Sequence, residues 1–270
     1  MKRSNIFWGL ILVLLGLLFL LKQQGIIDDV WGTAFPIGLI LAGAMALMHR
    51  RDTATAEAAA STVNIPLGNA PRVDLDIDHG AGSFSIDASA ADGTALQGNG
   101  GTGLTYKSDA AESGLAVELH AGPSFLPFLG PESGQWHFGL TPSVPTTITL
   151  EAGAADLRLD LAGLRLSFLR LQAGAARVWV RFPLAAGRTL AEIECGMATL
   201  DLLIPSGVAA RIRVEQGAST LNLDKTRFRP LDNPGDAALY QSDDFDANPN
   251  KVELNLKGGA NNINISEGTL

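Results

Sequence analysis

The sequence is poor in the residues that mark disulfide-stapled and most catalytic proteins. Across 270 residues there are one cysteine, Cys195, and four histidines. A single thiol excludes an intramolecular disulfide and any cysteine-cluster zinc site. Aromatic residues make up only 6% and charged residues only 18%. Glycine, with 30 residues, and apolar residues, at 46%, are plentiful, and the mean hydropathy is +0.18. Such a chain is too apolar to be disordered.

The net charge of −8 is unevenly spread. Residues 1–51 hold Lys2, Arg3, Lys22, Arg50 and Arg51 against Asp28 and Asp29. Residues 52–270 hold 15 Lys/Arg against 26 Asp/Glu. An acidic body argues against nucleic acid as a partner. A basic, apolar head on that body predicts a membrane anchor carrying a separate domain.

Two uncharged runs, about 5–21 and 30–48, are each near the roughly 17–20 residues needed to cross a bilayer. Trp8 and Trp31 sit near their ends, where indoles favour the interface. A cleaved signal peptide fits less well, because Leu21-Lys22-Gln23-Gln24 lacks a small-x-small cleavage pattern. Residues 1–51 therefore read as a two-helix transmembrane hairpin in contact with membrane lipid, and 52–65 as a linker. Lys2, Arg3, Arg50 and Arg51 flank the outer ends of the pair. That bias predicts a multi-pass protein of the cell membrane with both termini, and the domain at 66–270, cytoplasmic.

Beyond the linker one phrase recurs: IDHGAGSFSI around Gly80, LEAGAADLRL around Gly153, LQAGAARVWV around Gly174. It continues as IECGMATLDL at Gly196, VEQGASTLNL at Gly217 and LKGGANNINI at Gly259. From Gly153 the spacings are 21, 22, 21 and 42 residues, the last reading as two periods with one degraded copy. Fixed periods of this size mean stacked supersecondary units. Apolar residues alternate with period two on both sides of each glycine, so each unit is strand, corner, strand. The glycine permits a positive φ or a close backbone approach. The predicted fold is all-β, a β-solenoid or β-roll of ~21-residue units, with a β-sandwich as the alternative; the regular repeats cover about 146–224 and 251–268. Equivalent positions place Asp156 beside Arg177 and Asp160 beside Arg181, pairs contributing ~0.2–1 kcal/mol each.

No cofactor or metal is expected, and no catalytic residue stands out. Asp74, Asp76 and Asp78 lack the glycine and glutamate of a calcium loop and read as the wet face of a strand. Cys195 precedes its glycine in a slot held elsewhere by Ala152 and Ala173, so it reads as a buried structural thiol. His79 takes the same slot, while His120 and His137 have no companions at metal-ligand spacing. The sequence shows no Ser-His-Asp grouping, phosphate loop or metalloprotease motif. Two stretches read as interaction surfaces. Phe125, Leu126, Phe128 and Leu129 lie in a Gly/Pro frame that caps the core or docks a partner. Eight arginines between Arg158 and Arg213, including Arg177 and Arg181, form a strip for anionic lipid if they share one face.

The two-helix head at Phe7–Met48 followed by Gly-Ala strand repeats resembles the LiaF-like envelope-stress proteins of bacteria. Their head is a LiaI/LiaF-type transmembrane region and their C-terminal part a "toastrack" β-domain. The phrases Trp136–Pro145 and Tyr240–Asn250 are similar to the entry segments of that domain. The resemblance implies a non-enzymatic membrane protein that modulates a membrane or signalling partner, such as a sensor kinase. Against it stand a self-assembling structural or adhesin-like protein, able to form oligomers, and a β-helical carbohydrate-active enzyme.

Overall fold

Alternating apolar and polar residues interrupted by Gly-Ala pairs favour long strands that change their buried face partway along. The computed structural model describes residues 61–101, 104–121, 134–217, 219–232 and 237–268. The membrane head and the Phe125–Leu129 segment lie outside these residues. Fourteen strands form one open sheet, and no helix occurs among the described residues. Five short strands come mostly early: β1 (Ser61–Pro66), β3 (Thr94–Gly100), β4 (Leu104–Ala111), β5 (Gly114–Ala121) and β6 (Gln135–Leu140). The long ones are β2 (Val73–Asp87), β7 (Pro145–Asp160), β8 (Arg165–Arg181), β9 (Arg188–Pro205) and β14 (Lys251–Gly268). Between β9 and β14 come β10 (Ala209–Gln216), β11 (Thr220–Leu223), β12 (Phe228–Leu231) and β13 (Ala238–Ser242).

The long strands run parallel in the order β2-β7-β8-β9-β14. Pro145 of β7 lies beside Arg165 of β8, only five residues beyond the end of β7. Five residues reach at most ~18 Å, whereas the whole of β7, if straight, would be about 50 Å long. Each long strand must therefore double back, and it does so at its glycine. In β7 the first arm buries Thr146, Ile148 and Leu150, and the second buries Leu157 and Leu159. The buried set shifts from even to odd positions across Gly153. One contiguous core fills the space facing the two arms.

None of the six corner glycines has a positive φ, so close approach is what excludes a side chain there. A Cβ on Gly153 would sit 2.6 Å from the Gly80 carbonyl oxygen, and one on Gly174 3.0 Å from that of Gly153. Gly196 faces Gly174 at 2.9 Å, Gly259 faces Gly196 at 2.8 Å and Gly217 faces Gly259 at 3.1 Å. The corners form a ladder in which each glycine accommodates the carbonyl of the next rung. Gly80 ends the ladder, with nothing within 4 Å of a Cβ. Replacing Gly174 with valine is expected to cost about 1–3 kcal/mol, read from the denaturant midpoint. An unchanged midpoint would remove the ladder as a constraint at that rung.

The strand order corrects the reading of the 42-residue spacing. Residues 225–250 supply no degraded parallel rung: β12 and β13 pair antiparallel, and β13 adds antiparallel to β10. β14 instead enters between β9 and β10, parallel to both. Its second arm also pairs with β11. At the opposite end β5 pairs with the first arm of β2, and β6 with its second arm. β5 and β6 thus pair with β2 as the two halves of one further rung.

Candidate functional site

The outward side chains of the rungs are tied to one another. Arg177 Nη1 lies 3.6 Å from Asp156 Oδ2, and Arg181 Nε donates to Asp160 Oδ1 at 2.7 Å, as the register predicts. Arg170 donates to Glu192 at 2.8 Å and Arg188 to Glu253 at 2.8 Å. Farther along the second arms, Asn222 Nδ2 donates to Asn264 Oδ1, and Asn264 Nδ2 donates to Asp201 Oδ1, both at 2.8 Å. Arg158 stacks over the Trp179 ring, its guanidinium carbon 4.2 Å from the centroid.

The eight arginines do not make one strip. Arg158, Arg177 and Arg181 project from second arms, whereas Arg165, Arg170, Arg188, Arg211 and Arg213 belong to first arms or to β10. Six of them pair with carboxylates. Four of these carboxylates, Asp156, Glu215, Asp246 and Glu253, come from outside residues 158–213 and offset the positive charge of that stretch. A shallow groove on the first-arm face has the same balance, with Arg170, Arg213 and Lys257 against Glu192, Glu194 and Glu215. Asp74 is held by Thr147 at 2.8 Å and Arg72 at 3.0 Å, which fits a wet strand face.

Cys195 is 1% exposed in the slot beside Ala173 and Gly258. Burial pushes its thiol up to about 11. At pH 8 it is therefore protonated and shielded, and thiol reagents are expected to modify it at least tenfold more slowly than in the unfolded chain. Rapid modification of the native protein would revive a thiol role.

One cluster was invisible in the linear sequence. Ser85 of β2 pairs with His137 of β6, and Ser85 Oγ lies 2.9 Å from His137 Nδ1. His137 Nε2 lies 3.9 Å from Asp87 Oδ2. The fold thus assembles a serine, a histidine and an aspartate that the sequence reading did not group, because they meet only across a strand pair. The serine hydroxyl donates to the Trp136 carbonyl at 3.2 Å, and His137 is 60% exposed. The second arm of β2 is paired on both sides here, with β6 and with β7.

Asn261 was also missed. Its carboxamide accepts from the Ala198 amide at 2.7 Å and donates to the Cys195 carbonyl at 3.3 Å, and the residue is 6% exposed. It occupies the space a side chain on Gly258 would need. The only signal in the sequence is the double glycine Gly258-Gly259, where the other rungs carry a larger residue just before the corner glycine.

Comparison with known proteins agrees with this architecture. A model of the LiaF transmembrane domain matches residues 7–65, and one of the N-terminal domain of toast_rack, DUF2154, matches 54–203. No curated protein matches the chain. A crystal structure from Clostridium sporogenes ATCC 15579, described as a candidate cell adhesion protein, is similar with a TM-score of 0.66 at 19% identity. That likeness covers 77% of this chain and 98% of the other, and at this identity it shows the fold. The chain belongs to the toast_rack N-terminal domain family, as a LiaF-like membrane protein with its β-domain behind a LiaF-type transmembrane region.

Proposed function

We propose that this protein is a non-enzymatic interaction module of the bacterial envelope-stress type. The membrane head fixes its location, and the β-domain presents a rigid surface to a membrane or signalling protein, such as a sensor kinase. The observation that carries this reading is the cross-strand tying of the exposed side chains, from Arg181–Asp160 to the Asn222–Asn264–Asp201 series. Preordered polar surfaces lose little side-chain entropy when they bind. The family match supplies the envelope context.

Two spans and a cytoplasmic β-domain complete the reading, on the charge bias of Lys2, Arg3, Arg50 and Arg51. A reporter active only outside the cytosol, fused after Leu270, is expected to stay silent. The doubling-back of β7 and β8 favours a solenoid over a two-sheet sandwich. The functional test is deletion of the gene followed by cell-wall or membrane damage. An altered stress response supports the modulator; an unchanged one overturns it. The second reading, a structural or adhesive assembly, is favoured by the naming of the Clostridium sporogenes neighbour. It predicts concentration-dependent oligomers of the purified protein.

A further inference from the structure

His79 is the one buried polar side chain without a hydrogen-bond partner among the described residues: neither ring nitrogen has one. It is 1% exposed. Its ring packs edge-on to Trp136, centroids 4.9 Å apart, and lies 5.7 Å from Phe84. Trp136 in turn stands edge-on to Phe138 at 6.1 Å. The neighbouring rungs fill this slot with Ala152 and Ala173. Pairing with β5 stops at Asp78 and pairing with β6 starts at Ser83, so His79 stands at the β2 corner between them, its ring against Trp136, the first buried side chain of β6.

We propose that His79 is an acid-sensitive latch: protonating its ring loosens β6 and the second arm of β2 while the middle of the stack stays folded. An imidazolium carries two N–H donors and a charge, and this buried site offers it the Phe84 and Trp136 rings and the Gly82 backbone in place of water. Burial lowers the pKa of His79 below the ordinary 6.5, with the Gly82 backbone and the Asp78 charge pulling the other way. The stabilisation from the neutral ring is thus complete above the unfolded value of about 6.5. It is lost as the pH falls from there to the folded value. The ionisable groups that the register sets beside the β2 corner are Asp76 and Asp78 on β2, Glu118 and His120 on β5 and Glu151 on β7, with His137 of β6 along the second arm. All six have solvent access, so none is a buried counter-ion for the ring. β6 is the element that yields, because it is held to β2 by five residue pairs and to β3 by four, whereas β7 and β8 alone share fifteen.

Hydrogen exchange of the full chain in detergent, at pH 7.5 and 5.0 and corrected for intrinsic rates, tests the latch. The expected result is about a tenfold or greater loss of protection in β6 and residues 83–87 at pH 5.0, with β8 and β9 changed much less. His79→Phe keeps the aromatic packing and should abolish the difference. His79→Ala, which places the neighbouring rungs' residue there, serves if the phenylalanine variant does not fold. His120→Gln and His137→Gln should keep the difference. Equal protection at the two pH values overturns the proposal, as does a response that survives loss of His79 or disappears with His137→Gln.

Discussion

Replacing Gly258 with alanine is expected to destabilise the β-domain by about 3 kcal/mol, at the upper end of what one added methyl costs in a packed interior. The new Cβ would overlap both the Asn261 amide nitrogen and the Cys195 carbonyl oxygen. The carbonyl belongs to the backbone of β9, which is paired on both faces of the rung and has little freedom to move. The amide can swing away only by giving up its bonds to Ala198 and Cys195. Gly80→Ala is the control. It is the corner glycine of its own rung and has open space around it, so its effect should stay within about 0.5 kcal/mol. Asn261→Ala should cost about 2–3 kcal/mol, because it strands a buried N–H and a buried carbonyl. In that background Gly258→Ala should cost less than in the native chain, a coupling that a double-mutant cycle reads directly. Equal losses at Gly258 and Gly80 would defeat the account of crowding at Gly258.

Arg227→Ala should have an effect of similar size, about 3 kcal/mol, for a different reason. The chain leaving β9 must pass over the place taken by β14 before it starts β10. The turn that bridges β9 and β10 is closed by the Val208 amide donating to the Pro205 carbonyl at 3.2 Å, and its carbonyls can accept a further donor. The Arg227 guanidinium supplies the donors: to the Ile204 oxygen at 2.9 Å, the Pro205 oxygen at 2.7 Å and the Val208 oxygen at 2.9 Å. Asp224 prepares the bend before it, accepting from the Thr226 amide at 2.8 Å and hydroxyl at 2.7 Å, which holds its carboxyl below the usual carboxylate range. Arg227→Lys should fall in between, since an ammonium cannot match the planar fork. Thermal or denaturant unfolding decides it, and an alanine variant as stable as the native chain would show that the three bonds contribute nothing net.

What the sequence revealed was local. Alternation on either side of Gly153, Gly174 and Gly196 exposed the arms and corners, because the period-two pattern and the missing side chain are written into about ten adjacent residues. The equal spacing of Asp156 and Arg177, and of Asp160 and Arg181, made neighbours of them as soon as the rungs were stacked. What it hid was order. Nothing in LKGGANNINI distinguishes a strand at the end of the stack from one inserted between β9 and β10, since parallel neighbours look alike on both faces. The meeting of Ser85 with His137, 52 residues apart, depends on the same long-range pairing. The slot shared by His79 and Cys195 was readable as a position, but the aromatic surroundings of His79 come from β6, whose register no local pattern gives.

The insertion of β14 also sets a condition on how the protein is made. β9 and β10 leave the ribosome consecutively, yet the strand that joins them follows only after residue 250, and Arg188 must wait for Lys251. Until then β9 has one long parallel edge without a partner, the kind of edge that recruits strands from other chains. Pairing over 63 residues is slow compared with the 21–22-residue closures that build β7 to β9. A nascent chain stalled or cut before Lys251 would therefore carry a nearly finished stack with an adhesive side, and chaperone or protease attention to that species would decide how much functional protein a cell obtains.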